Sequence, residues 1–138
     1  MKLYKGRKSA VAYILENVVT STKISEAQHS FEQGLDLLAD GFAAKASAAF
    51  RAAIAADPAH YEAYHGLIRA LRDAGEFEKS ISVALALTAL TPDDPLAHTA
   101  LSISLQQAGH VPEAEAAAAR ARIQEWRVQL QSPQTEDS

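Results

Sequence analysis

Five histidines, seventeen carboxylates and a scatter of serines are the side chains through which this 138-residue chain could do acid–base, metal or nucleophilic chemistry. A metal site built on one helix needs two histidines four residues apart with a carboxylate nearby. His29, His60, His65, His98 and His110 form no such pair. An activated serine needs a Gly-x-Ser-x-Gly elbow, and a phosphate site needs a glycine-rich loop; neither pattern occurs. With no cysteine, thiolate ligands, disulfides and a cysteine nucleophile are excluded. The carboxylate pairs Glu113/Glu115 and Asp93/Asp94 fall at expected helix starts, where negative charge favours the positive end of the helix dipole. The residues therefore point to a non-enzyme with no catalytic residue, no metal and no cofactor.

Charge narrows the partners. A formal net charge of -4 and a pI near 5.7 give no general attraction to nucleic acid or to an acidic membrane. The exception is the amino terminus, where Lys2, Lys5, Arg7 and Lys8 precede the first acid, Glu16, with Tyr4 among them. A solvated terminus is the plainer reading of this segment; phosphate contact or a targeting role is the alternative. Ser9 to Leu15 is too short an apolar run for a secretion signal, and no stretch approaches the roughly 20 apolar residues of a membrane span. The expected setting is cytoplasmic.

The elements that would position any site emerge from a period. Gly41, Gly75 and Gly109 are evenly spaced along the chain. Ala46, Ser80 and Ala114 repeat at the same interval, as do Leu37, Leu71 and Leu105, and Pro58 and Pro92 share it. Glycine without a Cβ suits the left-handed residue that ends a helix. Small residues early in a second helix let two helices approach, and the leucines, with Phe50 and Leu87, supply apolar stripes. Asp57-Pro58 and Asp94-Pro95 each predict a helix start, with an N-cap acceptor followed by proline at the first helical position. Ser25 and Gln28 have the form of a capping box, which predicts that the first repeat helix begins there.

With these recurring residues, the chain resembles the tetratricopeptide repeat family, whose unit is two helices in about 34 residues. The resemblance covers about three quarters of the chain, in units 27–60, 61–94 and 95–126. It implies an all-α, right-handed superhelical solenoid of three helix-turn-helix units. The usual glycine at the eighth position is Gly34 in the first unit but Ile68 and Ser102 in the others. The usual aromatic at the fourth is Tyr64 in the second but Ser30 and His98 elsewhere. Residues 1–24 read as a basic tail and an amphipathic extra helix from about Ser9 to Val19, carrying Val11, Ile14, Leu15 and Val18. Two roles are open to it: a cap on the first unit, or a built-in occupant of the groove. The repeat region with its last helix extends over 25–131. That helix runs from Pro112 to about Leu130 and, with Ile123, Trp126 and Leu130 on one side, is expected to close the far end; residues 132–138 read as a polar disordered tail.

The resemblance also implies a binding face, the concave wall made by the first helix of each unit. Its positions here are Gln28, Phe31, Leu35 and Leu38, then His65, Arg69, Arg72 and Asp73, then Thr99, Ile103, Gln106 and Gln107. This wall would suit a protein segment with both apolar and acidic groups, with His65 placed to sense ligand charge or pH. The lysines and asparagines with which some family members grip the carboxylate tail of heat-shock chaperones are replaced here by Phe31, Leu35, Gly66, Leu96 and Ala100. The expected function is therefore a non-catalytic adaptor or scaffold without that carboxylate clamp. Two alternatives are a chaperone for a secreted or assembly-prone protein, similar to type III secretion chaperones, and a self-assembling scaffold; a homo-oligomer is open on either.

Overall fold

In the computed structural model, which describes residues 9–132, the chain forms six helices: α1 (Ala10–Ala39), α2 (Ala43–Ala56), α3 (Tyr61–Asp73), α4 (Phe77–Leu90), α5 (Pro95–Gln107) and α6 (Val111–Gln131). They pair in sequence as three hairpins, and each hairpin packs on the next. The expected basic tail over residues 1–8 and most of the expected carboxyl-terminal tail lie outside the described residues.

The turn within each hairpin is built as the period implies. Gly41, Gly75 and Gly109 have φ of +86°, +78° and +88°. In every case the next residue's N–H returns 2.8 Å to the carbonyl of the period leucine, Leu37, Leu71 or Leu105. A second bond from each glycine N–H completes a Schellman cap and satisfies carbonyls a helix end would otherwise leave bare.

Two expected helix starts are corrected. The carboxylate of Asp94 does cap α5, accepting from the Leu96 N–H at 2.9 Å with Pro95 at the first position. Asp57-Pro58, however, ends α2 and makes a turn, and α3 opens three residues later with His60 as its cap, Nδ1 accepting from the Ala63 N–H at 3.2 Å. The period explains why: Asp94 is equivalent to His60, whereas Asp57 is equivalent to Thr91. The second correction concerns Ser25. It lies inside α1, which runs unbroken for 30 residues from its actual cap, Ser9, whose hydroxyl accepts from the Ala12 N–H at 3.1 Å. The stretch from Ala10 to Gln33 holds neither glycine nor proline, and a capping-box pattern alone does not stop a helix that both flanks favour. The expected extra helix and first repeat helix are thus one element.

That continuity removes both roles expected for the amino-terminal helix. Val11, Ile14, Leu15 and Val18 are more than half exposed and cover neither the groove nor the end of the stack. The same holds at the far end. The last helix has the expected length, but Ile123, Trp126 and Leu130 remain 49%, 62% and 63% exposed, so they close nothing within one molecule.

The core depends on small residues that let helices approach and on few large ones that fill what remains. Ala46, Ser80 and Ala114 are buried, as the period requires. Phe50, on α2, is fully buried with its ring between α1 and α3. A Cβ added to Gly34 would lie 2.6 Å from that ring, and one added to Gly66 would lie 2.5 Å from it. One unit further on the volumes are exchanged, since the equivalents of Gly34, Phe50 and Gly66 are Ile68, Ala84 and Ala100. There Ile68 is the buried bulk, packed in a cluster with Ala84 and Ala100. The departures from the family's glycine pattern are therefore a compensated exchange of size between facing helices. The fourth-position change is compensated similarly: Tyr64 donates its hydroxyl proton to the Pro58 carbonyl at 3.0 Å, and His98 Nε2 sits 2.7 Å from the equivalent Pro92 carbonyl.

Candidate binding face

First helices α1, α3 and α5 approach one another, while α2, α4 and α6 make no comparable mutual contact. Crowding on one side and spacing on the other bends the stack, with the second half of α1, α3 and α5 forming the inner wall. Side chains one repeat apart form rows across that wall.

One such row is Leu35, Arg69 and Ile103, all exposed, with the apolar members at 44% and 40%. Arg69 is braced by Asp73 one turn on, Nε to Oδ1 at 3.3 Å. The adjacent row is Leu38, Arg72 and Gln106. Arg72 is the unusual member, because its Nε and Nη1 are shut off from solvent yet reach no acceptor among the described residues. Burial, then the neighbouring Arg69, pulls its pKa below the usual arginine range, with Asp73 opposing. Guanidinium stays protonated in any case, so the result is a half-buried cation two of whose nitrogens have no acceptor among the described residues.

The remaining expected residues divide. Gln28, Thr99, Gln106, Gln107 and Asp73 are exposed; Leu38 is half-buried. Gln28 is already engaged, bonded to Glu32 at 3.2 Å and to His60 at 2.9 Å. Phe31 does not belong to the free wall. It is 8% exposed and packs into the core, with its ring 5.9 Å from Phe50 and 4.8 Å from His60. The period assigned its position, but its ring packs inward against Phe50 and His60. Leu96, 65% exposed at the position equivalent to Gln28, is a wall residue missed by the site assignment although the same spacing pointed to it.

His65 is half-buried on this wall, and burial holds its pKa below the usual 6.5 against the pull of Asp94 and Glu62. Its folded pKa lies below the unfolded one, so acid protonates the unfolded chain first. The stability it contributes is complete above pH 6.5 and is lost as pH falls through the folded value. His110 acts in the opposite sense. Its Nε2 lies 2.9 Å from Glu78, and that hydrogen bond raises its pKa, so its contribution is lost as pH rises through the folded value. In a His110→Gln background, the urea midpoint should fall between pH 7 and pH 5, and His65→Gln should flatten that fall. An unchanged slope would contradict the assignment.

Away from this wall, Arg51, Ile54 and Ala55 of α2, Tyr64 and Leu67 of α3, and Ser82, Val83 and Ala86 of α4 line a shallow furrow of about 450 Å³. Nothing in the sequence reading pointed to it, because its residues are spread over three helices and only Arg51 is charged. Among the described residues no group of three or more histidines and carboxylates is placed to hold a metal ion. His60, His98 and His110 have the structural partners given above. No helix among these residues is long and apolar enough to cross a membrane.

Six helices in three stacked hairpins, with a wall of first helices, define a helical-repeat solenoid. A family model described as tetratricopeptide repeat matches residues 31–95, and the same caps and rows recur in α5 and α6. Residues 31–95, just under half of the chain, thus match the tetratricopeptide repeat family. Its fold is similar to a chain of the CopN-Scc3 complex, with TM-score 0.65 and 19% identity over 71% of this chain and 58% of that one. It is similar to the MamA protein, with TM-score 0.71 and 19% identity over 80% and 61% of the two chains. The structure titled MamA MSR-1 C2 gives TM-score 0.67 and 21% identity over 86% and 74%. This chain thus spans about three fifths of the length of the first two. Comparison with curated proteins gives no sequence match.

Proposed function

We propose that this chain is a non-catalytic adaptor whose inner wall holds a peptide or helical segment of another protein in the cytoplasm. Arg72 receives a carboxylate from that segment, and Leu35 and Ile103 receive apolar side chains on either side. The observation that carries this reading is the half-buried Arg72 guanidinium, two of whose nitrogens have no acceptor among the described residues, in a wall whose neighbouring row is apolar at both ends. A partly desolvated, unpaired cation is costly, and an acidic partner that meets its open side would offset part of that cost. Fixed donors also lose less entropy on binding than mobile ones.

Selection of ligands from a random peptide display library on the purified protein tests this directly. Enriched peptides should share an acidic residue with leucine-like residues on both sides, and an Arg72→Glu target should not retain them. Enrichment of basic or uncharged peptides would contradict the proposal.

A holding role toward a secreted or assembly-prone protein is a second reading of the same wall. Likeness to a chain solved in the CopN-Scc3 complex favours it at the level of the fold alone. It would appear as suppression of the partner's aggregation at equimolar ratio, which simple adaptor binding does not require.

A further inference from the structure

We propose that the furrow between α2 and α4, away from the inner wall, is a second binding site that takes a small aliphatic carboxylate, with the chain on the apolar lining and the head group on Arg51. At about 450 Å³ the furrow falls in the range of small-molecule sites. Leu67 is the buried member of its lining, and Ile54 and Val83 are half-buried. Each helical wall is one turn long, residues 51–55 of α2 and 82–86 of α4, or about 6 Å at 1.5 Å per residue. A partner helix held by side chains at i, i+3, i+4 and i+7 would need about 10 Å. The furrow therefore suits a compact ligand rather than a helical segment.

The polar groups around it select the head group. The Tyr64 hydroxyl donates to the Pro58 carbonyl at 3.0 Å and the Ser82 hydroxyl to the Glu78 carbonyl at 3.2 Å, so both donors are in use. A sugar or nucleoside would bring several polar groups against a lining that cannot pair them, which costs free energy. Arg51, the charged residue of the lining, has neither an ion pair nor a hydrogen bond among the described residues. The acids that flank the two walls along the chain are engaged elsewhere, Glu78 with His110 at 2.9 Å and Asp57 with the Ala59 N–H at 3.1 Å. An anion is thus matched and a cation repelled. One guanidinium meets a carboxylate with two parallel hydrogen bonds and offsets its single charge, but it does not offset the roughly −1.5 to −2 of a phosphate monoester. Nor is this combination a product of the repeat, since one unit on Arg51 is replaced by Leu85, Ile54 by Thr88 and Ala86 by Arg120.

Amide NMR titration of the full chain with decanoate tests the site. Saturable shift changes should centre on residues 51–55, 64–67 and 82–86, with a dissociation constant on the order of 100 µM, as a shallow site and one exposed charge pair allow. Each methylene removed from the ligand should weaken binding about threefold. Decyltrimethylammonium, the same chain with the opposite charge, should bind about fivefold more weakly, and Arg51→Gln, at an exposed position, should narrow that gap while the helical fold is kept. Arg72→Glu should leave decanoate binding unchanged, which separates this site from the inner wall. Shift changes centred on the inner wall or on Val11 to Val18, equal binding of the two amphiphiles, or an Arg51→Gln chain that discriminates between them as the wild type does would overturn the assignment. So would the absence of saturable changes at about 2 mM decanoate, some twentyfold above the expected constant.

Discussion

Phe50→Ala should lower folding stability by about 3–5 kcal/mol, enough to leave a small repeat protein largely unfolded at moderate temperature. The ring is fully buried and is the large side chain between the first hairpin and α3, with alanines and glycines around it. Glycines at 34 and 66 hold the surrounding backbone close to the ring and have no side chain of their own to fill the space it would leave. The reverse experiment uses the same geometry. Gly66→Ala forces a methyl against the ring and should cost about 1–3 kcal/mol, and Phe50→Leu in the same chain should recover part of that cost. Urea denaturation of the four variants gives the coupling. Additive losses would mean that the glycines and the ring do not share one packing unit.

Arg72→Glu should weaken partner binding by about 30-fold or more, the second large effect. If a bound carboxylate completes the desolvation of Arg72, removing one member of that pair costs about 2–5 kcal/mol, whereas an exposed pair such as Arg69 with Asp73 is worth about 0–1. Arg69→Ala should accordingly change affinity only a few-fold. Leu35→Ala with Ile103→Ala should fall between them, since each side chain is already partly covered before a ligand arrives. Calorimetry with a selected peptide ranks the three. If Arg69 proved dominant and Arg72 neutral, the unused donors would have no part in recognition.

Much of this architecture was legible because it is written in repeated positions. A glycine that must adopt positive φ, a leucine whose carbonyl the residue after that glycine caps and a small residue, alanine or serine, at a close helix crossing are each demanded by local geometry, so they recur once in every unit. Where the signal came from one place only, it misled. The Ser25–Gln28 pattern satisfied a local rule, yet nothing there breaks a helix, and α1 runs through it. Asp57-Pro58 looked like a helix start because it copied Asp94-Pro95 in residue type while occupying a different repeat position.

The candidate wall was less legible for a related reason. Position in the repeat assigns a residue to a side of the stack, but exposure depends on what packs behind it. Phe31 turned inward against Phe50 and His60, contacts distributed over residues far apart in the chain. Arg72 was placed on the wall by its spacing, while the loss of solvent around two of its nitrogens could be seen only in three dimensions. The furrow beside Tyr64 and Val83 is likewise a property of the gap between α2 and α4, which no sequence window contains.

The most direct test is an amide NMR titration of the full chain with a peptide from the display selection. Binding to the inner wall predicts shift changes concentrated in residues 27–39, in α3 and in α5, centred on Leu35, Arg72 and Ile103. Changes confined to the furrow between α2 and α4, with those three residues undisturbed at saturation, would contradict the account.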